Sequence, residues 1–462
     1  MSSVKFGRTA AVALSSSATL GALWLMLSNK TDDDDNIGKA IDKHREKIDP
    51  SLWMALAQPA RQTLMPIHKV ACDEELDPSY PDLSRFGKHS YLKRYLTPEI
   101  YKELKDKTTQ SGVTLEDLIR SGVSLPWGAR PPRGCGIYAG DAESYQVFAK
   151  LLVPILEDYH HFRMVPRRSN VTTVTPRGRP NPLLRRQVTN LNPNYVLQQQ
   201  LDPEGQYVLH TRMRVARSIK GFRFSPVISR EERRKLEEII RDCVVDWQDD
   251  PDIRGSYIRL MDMSNEQHAD LIRRHILFHD PDEYSLSAGI GRDWPDARGI
   301  YLNSTEDPSL IIWVNFEDHL RVISTSRGGD LLGVFTRLTK ILSALDLSLR
   351  SRGHFYCMHP RLGFLNPSPE NLGTALRASV FVKLPRLGEQ PGFEDLLDRL
   401  RLEVSSRFNS EKSSGIYDIA NAERLGQSEV QLINTMINGV GILISLEKRL
   451  ENGEPVNLDE IM

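Results

Sequence analysis

Glu317 stands four residues before Arg321 in the run Asn315-Phe316-Glu317-Asp318-His319-Leu320-Arg321. A carboxylate and a guanidinium held that close suit chemistry on an anionic phosphate, which needs both signs close together. More guanidinium groups come from distant segments. Arg212 and Arg214 alternate at period two after a short apolar run, so a strand there points both to one face, and Arg377 follows Asn371-Leu372-Gly373-Thr374. The chain has no GxxxxGK[ST] loop and no GxGxxG after a strand, so a phosphate site must be built from side chains. Arginine suits that task, since its planar fork binds phosphate oxygens bidentately and keeps its charge.

The elements that must position these groups are legible nearby. Leu310 to Val314 and Leu320 to Ile323 are apolar runs on either side of the polar tip 315–319, which predicts a hairpin. Further strands are expected at Tyr207 to Leu209 and Val380 to Leu384. Thr97 before Pro98-Glu99, and Thr114 before Leu115-Glu116-Asp117-Leu118-Ile119, read as helix starts, and Asp141 is expected to open a helix over Ala142 to Tyr159. Ser229 with Glu232 forms a capping box ahead of Lys235 to Trp247, and Glu429 to Leu450 carries apolar residues at helical spacing. Together these predict an α+β fold with antiparallel strands.

At 462 residues the chain has room for two or three domains, and 60 basic against 61 acidic residues leave no net field that would attract nucleic acid. Any anion site must be local. Cys72, Cys135, Cys243 and Cys357 are far apart, with no CxxC and no clustered histidine, so they are expected as free thiols and no structural metal site is expected. Lys5 and Arg8 precede a small-residue and apolar run, Ala10 to Leu27, with no acid before Asp32. That pattern predicts a mitochondrial presequence, with a membrane anchor as the alternative. Seven arginines and no acid between Arg163 and Arg186, among Pro, Asn and Thr, mark an insertion that cannot bury a core and could touch an anionic lipid surface.

The stretch Arg292 to Ser324, with His210-Thr211-Arg212-Met213-Arg214-Val215-Ala216-Arg217-Ser218, Asn371-Leu372-Gly373-Thr374, Arg377, Lys383-Leu384-Pro385 and Tyr417-Asp418-Ile419, resembles the phosphagen (guanidino) kinase family, most like its mitochondrial creatine kinase branch. The likeness runs from about Tyr80 to Leu450. It implies a small all-α N-terminal domain and a larger domain with a curved antiparallel sheet flanked by helices. The expected division is a presequence or anchor over 1–30, a linker over 31–79, the helical domain over 80–165, the arginine-rich insertion over 166–200 and the catalytic domain over 201–462.

The resemblance also implies reversible transfer of the ATP γ-phosphoryl group to a small guanidino compound, creatine or arginine among the candidates. Mg²⁺ would be held through the ATP or ADP phosphates, with no metal ligands of the protein's own, in a homodimer or an octamer. It assigns the nucleotide to His210, Thr211, Arg212, Arg214, His275, Arg321, Arg377 and Asp418, and the chemistry to Glu317, Ser368 and Asn371.

Several matching positions depart from the family. Ser368 replaces a reactive cysteine, Phe316 the first acid of a Glu-Glu-Asp run, Phe381 a histidine, and Ser405 a phosphate-binding arginine in the segment 403–408. These changes predict a weak enzyme, or a nucleotide-binding pseudoenzyme with a structural role.

Overall fold

The computed structural model describes residues 77, 79–84, 86, 90–124, 135–161, 187–404 and 415–458. The presequence, most of the linker, the insertion up to Arg186, and Ser405 lie outside the described residues.

Among the described residues the larger domain has ten strands: β1 Val208–Arg217, β2 Ser256–Arg259, β3 Gly299–Leu302, β4 Leu310–Val314, β5 Leu320–Arg327, β6 Met358–His359, β7 Gly363–Phe364, β8 Leu376–Lys383, β9 Leu402–Val404 and β10 Ile416–Asn421. Eight form one antiparallel sheet in the order β2-β3-β4-β5-β1-β8-β10-β9, and β6 pairs with β7. The expected hairpin is β4 and β5, closed by the Asn315 N–H donating to the His319 carbonyl at 2.9 Å. The other expected strands are present and run longer than their apolar centres.

Alternation along the strands gives the sheet two different faces. On one, Met213 and Val215 of β1, Val322 of β5 and Val380 of β8 pack in a single apolar core with Leu338 and Leu342 of the helix Leu331–Ser351 and Ile437 and Val440 of the helix Glu429–Glu451. The helix Arg230–Val245 joins this layer. It starts at a completed capping box, with Ser229 accepting from the Glu232 N–H and Glu232 accepting from the Ser229 N–H, an arrangement worth about 1 kcal/mol. On the opposite face, Ile300, Ile311, Trp313 and Ile323 cover the β3 to β5 end with Leu271, Ile276 and Phe278. The β1, β8 and β10 end of that face is left to polar side chains.

The small domain is helical: Tyr91–Tyr95, Pro98–Leu104, Leu115–Val123, Ser144–Val147 and Ala149–Tyr159. Thr97 and Thr114 cap as expected. The single helix expected over 142–159 is instead two, broken at the fully buried Phe148, whose backbone (φ −102°, ψ 25°) leaves the helical region. Asp141 lies ahead of the first and accepts from the Ser144 N–H at 2.8 Å, while the N-cap residue, Glu143, makes no side-chain cap bond. Leu118, Phe148 and Leu152 share one apolar cluster with Leu362, Leu372 and Leu425 of the larger domain, so the domains meet across a packed seam.

His319 shows what this packing costs in acid. Its Nδ1 accepts the Ile219 N–H at 3.1 Å, so the proton sits on Nε2, which lies 2.9 Å from the Arg223 carbonyl. Burial pushes its pKa down to about 4, and burial pushes His160 down to about 3. An imidazole depressed in the fold contributes fully above its unfolded value near 6.5. Below that the unfolded chain binds the extra proton, so stability falls as pH drops toward the folded value, by about 3 kcal/mol for His319 alone. Urea melts from pH 7 to pH 5 are expected to show this slope, reduced in His319→Gln, which keeps one donor and one acceptor. An equal slope in both proteins would refute the assignment.

Candidate active site

The polar end of the sheet is a lattice of arginines set by strand register. Arg214 of β1 stands between Ile323 of β5 and Arg377 of β8, Arg212 between Thr325 and Ser379, and His210 between Arg327 and Phe381, with Asp418 of β10 beyond. Beyond Ser379 in the Arg212 row come Ala420 and then Glu403 of β9, two small residues that leave a trough between Arg212 and Glu403. Arg321 enters from the foot of the hairpin opposite Ala216. The guanidinium carbons of Arg212 and Arg321 lie 5.8 and 5.9 Å from the Trp313 ring centre, within cation–π reach.

Carboxylates partner some of these cations. Arg321 Nη2 donates to Glu317 Oε2 at 2.7 Å and to Asp318 Oδ2 at 2.6 Å. Arg377 Nη2 donates to Asp418 Oδ2 at 3.3 Å, and Glu403 Oε1 lies 3.7 Å from Arg377 Nε and 3.6 Å from Arg424 Nη2. Burial pulls the Arg321 pKa down, but Glu317 and Asp318 outweigh it and hold the group above its ordinary value. Burial pushes the Asp318 carboxyl up, Arg321 opposing and Glu317 adding to it.

Arg214 is different. No hydrogen bond or ion pair joins its guanidinium to any described residue. Burial, and then Arg377, Arg321, Arg212 and Arg424, pull it well below its ordinary value. A recessed cation facing like charges calls for an anion from outside the chain.

The turn Pro369–Asn371 closes the site from the side. Asn371 Nδ2 donates to Asp318 Oδ2 at 3.4 Å, and its Oδ1 accepts from Arg424 Nη1 at 3.1 Å. Gly373 follows with φ +71°, and a Cβ there would fall 2.2 Å from the Arg424 carbonyl, so only glycine lets the two segments meet.

The structure thus brings Arg212, Arg214, Arg321, Arg377, Asp418, Glu317 and Asn371 together, with His210 at the margin, where its Nε2 lies 2.5 Å from Thr325 Oγ1. Three expected residues are placed otherwise. Thr211 points through the sheet to the helix side, by the same alternation that aligns Arg212 and Arg214, and its hydroxyl donates to the Gly328 carbonyl at 2.7 Å. The Ser368 hydroxyl caps its own turn, accepting from the Glu370 N–H at 3.3 Å. His275 is exposed just past the helix Asn265–Arg273, joined to the cluster only through Ile276, whose carbonyl accepts from Trp313 Nε1 at 2.7 Å. Phe316 stacks on Phe278 at 4.8 Å and 12°, inside the apolar patch.

Asp318, Glu370, Glu403 and Arg424 belong to the site and were not singled out from sequence. Only Asp318 had a signal, its place beside Glu317. Glu403 sits where it competes for two arginines, so Glu403→Gln is expected to tighten ADP binding about two- to fivefold, the worth of a part-exposed ion pair. Titration calorimetry would measure it, and unchanged or weaker binding would refute the competition.

An arginine lattice in which Arg214 has no ion pair with any described residue, beside a carboxylate fixed on a hairpin, defines a site for phosphoryl chemistry. The family sequence models described as ATP:guanido phosphotransferase match it over both domains: the N-terminal domain at residues 87–157 and the C-terminal catalytic domain at residues 235–450. The chain is 38% identical over 390 residues to the creatine kinase B-type of Gallus gallus, covering 84% of this chain and 95% of that protein. It is 38% identical over 381 residues to the M-type of Canis lupus familiaris, covering 82% and 93%. The crystal structure of lombricine kinase superposes with a TM-score of 0.69 at 33% identity, covering 82% of this chain and 96% of that one. The substrate-free duplicated taurocyamine kinase from Schistosoma mansoni gives 0.67 at 30% identity, with 80% of this chain matched to 48% of that one. The protein belongs to the ATP:guanido phosphotransferase family, the phosphagen kinases.

Proposed function

We propose that the protein transfers the γ-phosphoryl group of ATP reversibly to a guanidino nitrogen. The observation that carries this reading is Arg214, recessed among Arg212, Arg321, Arg377 and Arg424 with no hydrogen bond or ion pair to any described residue. Phosphate oxygens supply the missing charge and take the fork geometry of the guanidinium groups. Such transfer asks little covalent work of the protein, so position and charge neutralisation do most of it.

Glu317, fixed by Arg321, holds the substrate guanidinium and takes its proton as the nitrogen attacks. The N–P bond forms, the bond from Pγ to the bridging oxygen breaks, and ADP leaves with the electron pair. Arg212, Arg214, Arg377 and Arg424 balance the phosphate charge through the trough. Mg²⁺ would arrive on the nucleotide, held through the ATP or ADP phosphate oxygens.

The packing of Phe316 into the apolar patch leaves Glu317 and the arginines assembled, and this favours turnover over nucleotide binding alone. The test is a coupled ADP-release assay with ³¹P detection of an N-phosphoryl product over creatine, arginine, lombricine and taurocyamine. ADP binding with no product from any guanidine would select the binding-only reading. Residence in mitochondria, read from residues 1–30, and assembly as a homodimer complete the proposal. Fractionation with and without residues 1–30, and light scattering, test them.

A further inference from the structure

Two carboxylates face one short segment of the small domain. Glu370 Oε1 accepts the Cys135 N–H at 2.8 Å, and the Tyr138 hydroxyl donates to Glu317 Oε1 at 3.4 Å. Cys135 and Tyr138 are three residues apart, so the two acids lie side by side across the domain seam, and the ring of Tyr284, 6.0 Å from that of Tyr138, backs them. Glu317 is answered by Arg321. Glu370 sits on the turn Pro369–Asn371, and Arg424 takes the carbonyl of Glu370 at 3.0 Å rather than its carboxylate. Burial pushes the Glu370 carboxyl up, Arg424 opposes this and Glu317 adds to it, so among the described residues two carboxylates share this side of the cleft and no cation forms an ion pair with that of Glu370.

We propose that Glu370 sets the tail chemistry of the guanidino substrate, selecting a guanidine whose far end carries a second positive charge and rejecting one that ends in an acid. This rests on the phosphotransfer reading, which places the guanidinium on Glu317. A substrate so bound has its tail within Coulombic range of Glu370. A cationic tail meets a carboxylate that forms no ion pair with any described cation. An acidic tail meets a like charge, and finds the Cys135 N–H, the backbone donor it would need, already taken.

The experiment is calorimetric titration of the full chain, with Mg²⁺ and ADP present, using three probes of equal length: 4-guanidinobutylamine, butylguanidine and 4-guanidinobutyrate. The amine is expected to bind at least tenfold more tightly than the acid, with the neutral probe between them. Glu370→Gln is expected to shrink the amine-to-acid ratio to under threefold, and Glu370→Asp, which keeps the charge, to preserve the order. The wild-type ratio stands as a test without any variant, and it is expected to narrow in 0.5 M salt. A ratio unchanged in Glu370→Gln, or an acid probe that binds the wild type more tightly, overturns the proposal. Failure of all three probes to bind while ADP still binds also overturns it and spares the nucleotide site, whereas loss of ADP binding as well overturns the phosphotransfer reading beneath it.

Discussion

Glu317→Gln is expected to lower kcat about a thousandfold while leaving ADP affinity within twofold of the wild type. A guanidinium is protonated at neutral pH and has no lone pair to offer phosphorus, so the transfer needs a base within hydrogen-bond reach of the attacking nitrogen. Glu317 has that place: one oxygen is fixed by Arg321 at 2.7 Å and the other faces the cleft beside Tyr138. Glutamine keeps the shape but cannot take the proton, and removal of a positioned general base costs about 10²–10⁴ in rate. Asp318 cannot step in, because its side chain is fully buried and its Oδ2 accepts from both Arg321 and Asn371. Arg212, Arg214 and Arg377 stand on β1 and β8 and not on the hairpin, so nucleotide binding is the internal control. Turnover of Glu317→Gln within tenfold of the wild type would refute the role, and a parallel loss of ADP affinity would show that the hairpin had moved.

Much of this site was legible in the chain because it rests on local periodicity. The two apolar runs around 315–319 define the hairpin, and the spacing of Arg212 and Arg214 defines a shared face. The same period two argues against Thr211, so a contiguous motif is a poor guide to which of its side chains meet a ligand. Residue type alone does not separate functional from structural arginines either. Arg298 is as buried as any in the lattice, yet its Nη1 and Nη2 donate to the carbonyls of Asp293, Asp296, Ile290 and Arg292, and they hold a loop. What separates Arg214 is the lack of such partners among the described residues, which only the fold reveals.

The residues missed are those whose role depends on long-range contact. An acid at a hairpin tip reads as solvated, but the turn Pro369–Asn371 comes down on Asp318 and buries it. Glu370 meets Cys135 across 235 residues of chain, and Arg424 reaches Asn371 across 53. No window of sequence contains either pair. Ser368 stands where the family's cysteine is expected, and its hydroxyl is engaged within its own turn.

Arg214→Met is expected to move stability and function in opposite directions. In the unliganded protein Arg214 is a recessed cation beside four others, directly opposite Arg377 in the sheet, and like charges so placed repel. Methionine fills similar space without the charge, and replacing a buried charge by an apolar side chain of similar size can stabilise a fold by about 1–4 kcal/mol. The melting temperature without nucleotide is therefore expected to rise. Nucleotide phosphates lose one of their counter-ions at the same time, so the rise in melting temperature with saturating MgADP is expected to shrink, and turnover to fall a hundredfold or more. Arg214→Lys keeps the charge without the fork and should lie between the two. A structural arginine would behave otherwise: its loss would lower the unliganded melting temperature and leave the nucleotide shift intact, and that outcome would overturn the reading. The opposed signs follow from one fact, that strand register sets Arg214 among like charges with no ion pair to any described residue, so an anion bound there relieves a repulsion that the unliganded fold carries.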